Sequence, residues 1–335
     1  MPKASLPPGL VVKLGKTVWQ TLWQIMMARL APTDAAGAYV RPNSEFRQGL
    51  DAIEGAEPGR YRLIVGMGCP WAHRTLVVRA LKGLESALPL WIVEPSPDEG
   101  MWRFVDDRVG WRSLPDLYRT AQPGYAGRST VPVLWDTHPR TILNNESADI
   151  IVLLNAAFND CAARPDVDLY PEALRSRIDD WGDRIYHAIN NGVYRCGFAR
   201  TQVAYTEACT LLFDTLDAID AHLADHRYLC GDRITLADVR LFTTLARFDA
   251  VYHGLFKCDR THLRDYAHLW PYARDLYQQP GVAATCDFVT IQRDYYGNLF
   301  PLNPGGIIPL GPDPALWQRP HDRRAISAVP GSEEN

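Results

Sequence analysis

The hydrophobic pattern changes twice between residues 60 and 93, and this feature restricts the possible folds more than any other in the sequence. Residues 60–66 (RYRLIVG) are short, apolar and β-branched near the end, which is typical of a strand. Residues 71–84 carry apolar side chains at helical spacing, and residues 88–93 (LPLWIV) again have the character of a strand. A strand, a helix and a strand within roughly 35 residues predict a βαβ unit with parallel strands and a right-handed crossover.

The segment that follows completes a small α/β domain. Residues 95–129 are rich in Asp, Arg, Trp, Pro and Gly, and we interpret them as a long insertion. Residues 130–135 and 138–143 form a predicted hairpin, and residues 146–155 show a helical pattern. The predicted order of elements is therefore β-α-β followed by β-β-α.

Beyond about residue 160 the pattern is helical. Apolar residues recur at helical spacing in residues 175–189, 202–223, 236–252 and 266–278. We therefore predict an α/β domain over residues 60–160 and an all-helical domain over residues 161–301. Residues 1–59 are a predicted N-terminal extension, and the Pro- and Gly-containing residues 302–335 are a predicted irregular tail with a mobile end.

The charge balance argues against nucleic acid as a partner. The chain has 35 Lys and Arg against 39 Asp and Glu, so an extended basic face is not expected. Its apolar runs are shorter than the roughly 18–20 residues that cross a bilayer. Lys13 and Lys16 precede the apolar residues 18–30, as in a signal peptide, but Gln20 and Gln24 interrupt that run. An amphipathic arm packed on the body is the favoured interpretation, and no membrane partner is expected.

The cysteine content indicates a reducing compartment. Seven Cys residues are scattered along the chain, and an odd number in a long chain argues against a disulfide framework and for the cytoplasm. The sequence holds no Cys-x-x-Cys pair, so a zinc ribbon is not expected. The nine His residues also lack metal-ligand spacing, and we predict no metal site.

One cysteine stands where the first predicted strand gives way to the first predicted helix. Cys69 lies in the stretch VGMGCPWAHRT, and Pro70 suits the first helical position because its missing N–H has no intrahelical partner there. The free N–H groups of the first turn and the helix dipole favour a thiolate, so we expect a lowered pKa for Cys69. His73 and Arg74 follow within one turn and are expected to add positive potential. The alternative is a buried, inert cysteine at a strand–helix corner.

The chemistry of Cys69 must be that of a single thiol. Ala72 occupies the position where a dithiol oxidoreductase carries its resolving cysteine. An external thiol therefore has to release any mixed disulfide that forms on Cys69. Glutathione is the obvious candidate in a reducing compartment, as both substrate and reductant.

Two later segments fit a glutathione site. A cis bond between Val131 and Pro132 would turn the Val131 backbone towards a peptide-like ligand, which would pair with it as an added strand. The helix start at residues 144–148 (NNESA) would bind a carboxylate with its N–H groups, and Glu146 would pair with an amino group. The γ-glutamyl end of glutathione has both groups. The alternative for Glu146 and Ser147 is plain helix capping.

These residues resemble the glutathione transferase superfamily, and among its branches they resemble the glutathionyl-hydroquinone reductases, or Xi class. Five motifs carry the resemblance: CPWAHRT (69–75), NNES (144–147), NGVYRCGFA (191–199), DVRLFTTLARFD (238–249) and LNPGGIIP (302–309). The resemblance covers nearly the whole chain. It implies a thioredoxin-like domain followed by an all-helical domain. Thr235 and Asp238 resemble the N-capping segment of the core C-terminal helix in this superfamily.

The resemblance also implies a reaction and a set of site residues. In this family a Cys thiolate attacks the sulfur of a glutathionyl-hydroquinone and releases the hydroquinone, and glutathione then resolves the mixed disulfide. Cys69 matches the nucleophile, and Tyr194 and Tyr295 match tyrosines near the hydroquinone. Five residues match glutathione contacts: Trp102, Arg128, Val131, Glu146 and Ser147. Taken without the resemblance, the two tyrosines would be core residues with satisfied hydroxyls, and Trp102 would be a packing residue.

The expected chemistry leaves two other functions open. A hydroquinone ring becomes a leaving group when a ring carbon is protonated, and Tyr hydroxyls are suitable donors. One alternative is another glutathione-dependent Cys enzyme: an omega-like thiol transferase, a dehydroascorbate reductase, or an enzyme that strips glutathione from lignin-derived thioethers. The other is a non-catalytic binding protein with a glutathione transferase fold. The run YHGLFKC at residues 252–258 departs from the family pattern and bears on substrate preference. The family likeness further implies a homodimer.

Overall fold

A long helix precedes the sheet and exposes most of its apolar side chains. The computed structural model describes residues 7–53, 55–96 and 99–326. Helix α1 (Pro8–Leu30) reaches the body of the protein in its second half, where Met27 is fully buried. Its exposed large apolar side chains are Leu10, Val11, Val12, Leu14, Val18, Trp19, Leu22 and Ile25. The predicted arm is therefore present, but it packs on the body over only part of its length.

The N-terminal half is built around a five-stranded mixed sheet. Its strands are β1 (Tyr61–Val65), β2 (Leu90–Pro95), β3 (Trp102–Phe104), β4 (Val133–Asp136) and β5 (Thr141–Asn144). The spatial order is β3-β2-β1-β4-β5. β1 and β2 are parallel, and the other neighbouring pairs are antiparallel. The predicted βαβ unit and the predicted hairpin are both present.

Three helices accompany the sheet. They are α2 (Pro70–Lys82), α3 (Leu114–Ala121) and α4 (Ser147–Ala156). α2 packs against α4, and α3 contacts the two edge strands, β3 and β5. Pro70 opens α2 as predicted, and Gly83 ends it with a φ of 67°, which glycine adopts without steric cost.

The segment between β2 and β4 holds more structure than the sequence analysis predicted. We interpreted residues 95–129 as an insertion, but they contain β3 and α3. β3 is only three residues long and owes its conformation to backbone pairing with β2, so no periodic pattern marks it in the sequence. α3 begins with a capping box formed by Ser113 and Asp116.

The second half is helical, and none of its described residues belongs to a named strand. Its helices are α5 (Arg175–Ile185), α6 (Gly192–Gly197), α7 (Gln202–His222), α8 (Leu236–Arg247), α9 (His253–Leu255), α10 (Leu269–Tyr277) and α11 (Phe288–Asn298). Thr235 and Asp238 form the predicted capping box at the start of α8, where the Asp238 carboxylate accepts the Thr235 N–H at 2.8 Å. The predicted combination of an α/β half and an all-helical half is confirmed.

The two halves share one hydrophobic core, because α2 packs against α8 as well as against α4. This contact places the N-terminus of α2, and the turn before it, beside the helical half. Side chains from both halves can therefore surround Cys69.

The tail after α11 has little regular structure. Residues 302–326 form two short 3-10 turns, and Trp317 and Arg323 are buried in the helical half. The predicted mobile end falls on residues 327–335, which lie outside the described residues. Within the described ranges, no helix has the length and apolar character needed to cross a membrane, and no cluster of His, Cys, Asp and Glu is arranged to hold a metal ion.

Candidate active site

Cys69 caps the N-terminus of α2 at the end of a tight turn. Its N–H donates to the Gly66 carbonyl at 3.0 Å, and its own carbonyl accepts the His73 N–H at 3.0 Å. The side chain is half-buried, and Sγ lies 3.8 Å from the carbonyl oxygen of Val131. The bond between Val131 and Pro132 is cis, as the sequence analysis expected.

The pKa of the Cys69 thiol is raised, which corrects the expectation of a lowered value. Burial is the main cause, because it disfavours the charged form. The N–H groups of Ala72 and Trp71 and the guanidinium groups of Arg247 and Arg41 act in the opposite direction. The helix N-terminus therefore assists ionisation, as predicted, but its effect does not outweigh that of burial.

His73 and Arg74 do not supply the positive potential that their spacing suggested. Burial lowers the pKa of His73 well below its ordinary value, so the ring is neutral. Arg74 is also buried, and its guanidinium donates to the Ser147 hydroxyl at 3.3 Å and to the Asn190 side chain at 2.5 Å. The expectation was wrong because both side chains point into the core between α2 and the neighbouring helices rather than towards Cys69.

Arg247 is the buried cation behind the turn. Its guanidinium donates to the carbonyl oxygens of Gly68 at 3.0 Å and Met67 at 3.2 Å. It also bonds to His73 Nδ1 at 2.8 Å. Because this ring nitrogen accepts from Arg247, Nε2 carries the proton and donates to Thr285 Oγ1 at 2.8 Å. Arg247 thus ties the end of α8 to the turn that presents the cysteine.

A cavity of about 290 Å³ opens in front of Cys69, with walls from both halves of the chain. Six of the eight predicted site residues line it: Cys69, Trp102, Arg128, Val131, Tyr194 and Tyr295. Other residues that the sequence analysis did not select also line it, among them Tyr39, Arg41, Phe198 and Asp294.

Three tyrosine hydroxyls form a chain beside this cavity. The Tyr295 hydroxyl lies 2.6 Å from that of Tyr194 and 2.9 Å from that of Tyr252. Burial raises the pKa of Tyr252 to about 12 and raises the pKa values of Tyr194 and Tyr295 well above the ordinary value. The hydroxyls therefore stay protonated around neutral pH and can act as hydrogen-bond and proton donors.

Trp102 reaches the cavity because the turn before Cys69 contains glycine. The Trp102 ring packs on Gly66, where an added Cβ would lie 2.5 Å from a ring carbon. Any side chain at residue 66 would therefore displace the ring. The indole is half-buried and exposes part of its surface to the cavity.

Glu146 and Ser147 lie at the start of α4 but are not among the residues lining the cavity. Glu146 caps the helix: one carboxylate oxygen accepts the Ala148 N–H at 3.1 Å, and the other accepts the Ser44 hydroxyl at 2.9 Å. The capping alternative is therefore realised in the structure. Contact with glutathione remains a prediction for both residues.

Asp294 is a carboxyl group on α11 that faces the turn around Cys69. A Cβ added at Gly68 would overlap its carboxylate. Burial raises the pKa of Asp294 to about 6, although Arg293 and the Gly68 N–H favour the charged form. The cavity therefore contains a group whose charge changes just below neutral pH.

The comparisons with known proteins agree with this geometry. Residues 68–157 match the family model "Glutathione S-transferase, N-terminal domain", and residues 202–275 match "Glutathione S-transferase, C-terminal domain". The glutathionyl-hydroquinone reductase PcpF of Sphingobium chlorophenolicum is 46% identical over 302 residues, which cover 88% of this chain and 94% of PcpF. The crystal structure of the glutathione transferase Xi from Phanerochaete chrysosporium is 41% identical with a TM-score of 0.81, covering 87% of this chain and 97% of that one. The chain belongs to the glutathionyl-hydroquinone reductases, the Xi class of glutathione transferases.

A second relative adds a liganded structure to the Xi-class comparison. The glutathionyl-hydroquinone reductase YqjG of Escherichia coli is 42% identical over 327 residues, covering 91% of this chain and 96% of YqjG. Its glutathione-bound structure matches this chain with a TM-score of 0.77, covering 81% of this chain and 90% of that one.

In this Xi-class chain the residues that the sequence analysis missed fall into two groups. Tyr39 and Arg41 belong to the predicted extension, which carried no signal of a site. Arg247 and Tyr252 lie within the predicted helical segment 236–252, whereas Asp294 lies on α11, a helix that the sequence analysis did not predict. Arg247 lies inside the DVRLFTTLARFD motif, so the resemblance alone could have singled it out.

Proposed function

We propose that this chain reduces glutathionyl-hydroquinones to hydroquinones, with glutathione as the reductant. The observation that carries the proposal is the presence of one cysteine sulfur and two tyrosine hydroxyls, those of Tyr194 and Tyr295, in the lining of a single cavity. Ala72 stands where a second cysteine would resolve the intermediate, so an external thiol is required. The relatives PcpF and YqjG, which carry the name of this activity, add support.

The first step forms a mixed disulfide. The Cys69 thiolate attacks the thioether sulfur of the substrate, an S–S bond forms, and the C–S bond breaks with its electron pair passing to the ring. A proton added to the ring carbon balances the step and releases the hydroquinone. In the second step a glutathione thiolate attacks the mixed disulfide, which frees Cys69 and releases oxidised glutathione.

The tyrosines are the proposed source of that proton. Their raised pKa values keep Tyr194 and Tyr295 protonated, and a donor must hold its proton at the operating pH. Tyr252 bonds to the Tyr295 hydroxyl and can orient it. A hydroxyl that donates to the ring oxygen also favours the keto tautomer, in which the ring carbon carries the extra hydrogen.

The glutathione moiety is proposed to lie along the N-terminal half of the site. Trp102 would cover one side of it, and the Val131 backbone would pair with its cysteinyl unit. Glu146 and Ser147, at the start of α4, are the proposed γ-glutamyl contacts, and Arg128 is a proposed charge partner. Because Ser44 already bonds to Glu146, ligand binding there requires the Glu146 carboxylate to share its hydrogen bonds.

The test is direct. Purified protein is mixed with glutathionyl-menadiol and glutathione, and release of menadiol is followed by chromatography. We expect one oxidised glutathione per hydroquinone released. No release above a blank without protein would refute the proposed activity.

The main alternative is an omega-like thiol transferase or dehydroascorbate reductase, since a single reactive cysteine also serves those reactions. The three linked tyrosines favour the hydroquinone, because disulfide exchange requires no proton on a ring carbon. Hydroxyethyl disulfide and dehydroascorbate, assayed in parallel, separate the two activities. If either is turned over faster than the glutathionyl-hydroquinone, the alternative is preferred.

We further propose that the protein is a homodimer in the cytoplasm, with no metal at its site. The family likeness supports the dimer, and the unpaired cysteines support a reducing compartment. We also propose the domain division at about residues 59, 160 and 301. A monomer in light scattering at micromolar concentration would contradict the proposed dimer.

A further inference from the structure

The predicted N-terminal extension contains a segment that is bound to the site. Residues 39–48, here called the N-terminal strap, cross the start of α4. Phe46 exchanges two hydrogen bonds with Asn145, since its N–H donates to the Asn145 side chain at 3.2 Å and its carbonyl accepts the Asn145 N–H at 2.9 Å. Arg47 forms a two-point ion pair with Asp149, with both bonds at 2.8 Å. The strap is therefore fixed against the element that carries Glu146 and Ser147.

The beginning of the strap forms part of the cavity wall. Tyr39 and Arg41 both line the cavity in front of Cys69. The Arg41 guanidinium carbon lies 3.8 Å from the centre of the Trp71 ring, a close cation–π contact. Because Trp71 itself is buried on α2, this contact holds the guanidinium at the cavity surface.

Arg41 lacks the partners that the neighbouring arginine has. The Arg74 guanidinium carbon lies 4.4 Å from the centre of the Trp71 ring, and its two terminal nitrogens donate to Ser147 and Asn190. Arg41, by contrast, makes no ion pair with any residue in the described part of the chain, and it is only half-buried. A fixed guanidinium facing a cavity is well suited to bind a carboxylate through two parallel hydrogen bonds.

The charges of the cavity match those of the proposed ligand. Arg41 and Arg128 are the two arginines among the residues lining the cavity. Glutathione carries two carboxylates, one at each end of the tripeptide. With two guanidinium groups at the cavity, each carboxylate can have its own cationic partner, whereas Arg128 alone would leave one carboxylate without one.

We infer that Arg41, presented by the N-terminal strap, binds a carboxylate of the glutathione moiety. This inference rests on the proposed function, since it names a contact of the same ligand. It assigns the strap a direct part in substrate binding, and it predicts that the affinity for glutathione depends on a segment outside both domain models, which begin at residues 68 and 202.

Calorimetric titration with glutathione, without turnover, tests the inference. Arg41→Met is expected to weaken binding by about tenfold or more, the effect of losing a charge-assisted hydrogen bond. Arg41→Lys keeps the charge without the planar fork of the guanidinium, so its affinity for glutathione is expected to lie between those of the unaltered protein and Arg41→Met. Arg62→Met is the matched control, because Arg62 also lies over an indole ring, that of Trp91, but is not among the residues lining the cavity. It is expected to bind glutathione like the unaltered protein.

Two analogues identify which carboxylate is bound. Glutathione glycyl ethyl ester lacks the charge at the glycine end, and γ-aminobutyryl-cysteinyl-glycine lacks the α-carboxylate of the glutamyl end. If Arg41 binds one of these groups, Arg41→Met should reduce the affinity for the analogue that retains it and leave unchanged the affinity for the analogue that lacks it.

The outcomes separate this inference from the proposed function. Equal losses for glutathione and both analogues would mean that the substitution loosens the strap, and would overturn the inference, as would unchanged glutathione binding by Arg41→Met. If the unaltered protein itself fails to bind glutathione, the proposed function fails. If it binds glutathione but Arg41→Met has no effect, only the role of Arg41 is lost.

Discussion

The guanidinium of Arg247 donates to the carbonyl oxygen of Gly68 at 3.0 Å, across 179 residues of chain. The donor is at the end of α8 in the helical half, and the acceptor immediately precedes Cys69 in the other half. Arg247 is fully buried, and its charge is one of the effects that lower the pKa of the cysteine against the larger effect of burial. The helical half thus contributes directly to the position and the ionisation of Cys69.

Replacing Arg247 with Met should slow alkylation of Cys69. Loss of the positive charge raises the pKa of the thiol further, so the rate of alkylation by iodoacetamide at pH 7.5 should fall several-fold. The midpoint of the curve of rate against pH should move to higher pH. The loss of buried hydrogen bonds should also lower the free energy of unfolding by about 3 kcal/mol. Arg247→Lys, which keeps the charge, should retain more of the alkylation rate. An unchanged pH profile in folded Arg247→Met would contradict the electrostatic role.

Cys69→Ser should abolish turnover and leave glutathione binding intact. A hydroxyl cannot form the mixed disulfide, so kcat should fall by at least about 10⁴-fold, as for other lost nucleophiles. Cys161→Ser is the matched control, because Cys161 is half-buried like Cys69 but bonds to the carbonyl of Ala56 and is not among the residues lining the cavity. Retained turnover in Cys69→Ser, measured as hydroquinone release, would exclude covalent catalysis at this residue.

Tyr295→Phe should reduce the chemical step more than it reduces binding. The substitution removes the hydroxyl that links Tyr194 and Tyr252, and loss of a general acid typically costs about 10²-fold or more in kcat. The affinity for glutathione should change little. Tyr296→Phe, at the adjacent buried tyrosine, provides the control for removal of a hydroxyl from α11. If Tyr295 had only a structural role, Tyr295→Phe and Tyr296→Phe would change kcat to the same extent.

Asp294 should give the protein a pH-dependent step near pH 6. Its raised pKa, about 6, means that the folded protein holds this proton more tightly than the unfolded chain. The contribution to stability is therefore complete below pH 4 and is lost as the pH rises to about 6. Asp294→Asn should remove this dependence from chemical unfolding curves measured between pH 4 and 7. It should also remove any inflection near pH 6 from the alkylation profile of Cys69. Identical profiles in the two proteins would contradict the assigned titration.

Local signals in the sequence were sufficient for much of the fold. Pro70 begins α2 and Thr235 caps α8, and in both cases the residues that determine the helix start are adjacent in sequence. The position of Cys69 at the strand–helix junction follows from the same local signals. β3 could not be predicted in this way, because a strand of three residues depends on its partner strand rather than on its own pattern.

The site depends on contacts that local patterns do not encode. Glu146 illustrates the difference, because its capping role is local whereas its bond to Ser44 joins residues 102 positions apart. The direction of the shift in the Cys69 pKa was mispredicted for the same reason. The helix N-terminus can be recognised in the sequence, but the degree of burial depends on the whole fold. The exposure of the apolar side chains of α1 was likewise not predictable, because an amphipathic pattern does not indicate how much of a helix packs against the rest of the protein.

The strap also protects the sheet. Arg47 pairs with Asn144 in an antiparallel bridge, and the Gln48 N–H donates to the Leu143 carbonyl at 3.1 Å, so this part of β5 is not left as a bare flank. Unpaired edge strands of different molecules can pair with one another through their free backbone groups. A shortened protein that starts at β1 would therefore aggregate. A loss of activity in that protein would reflect poor solubility and would say nothing about the catalytic residues.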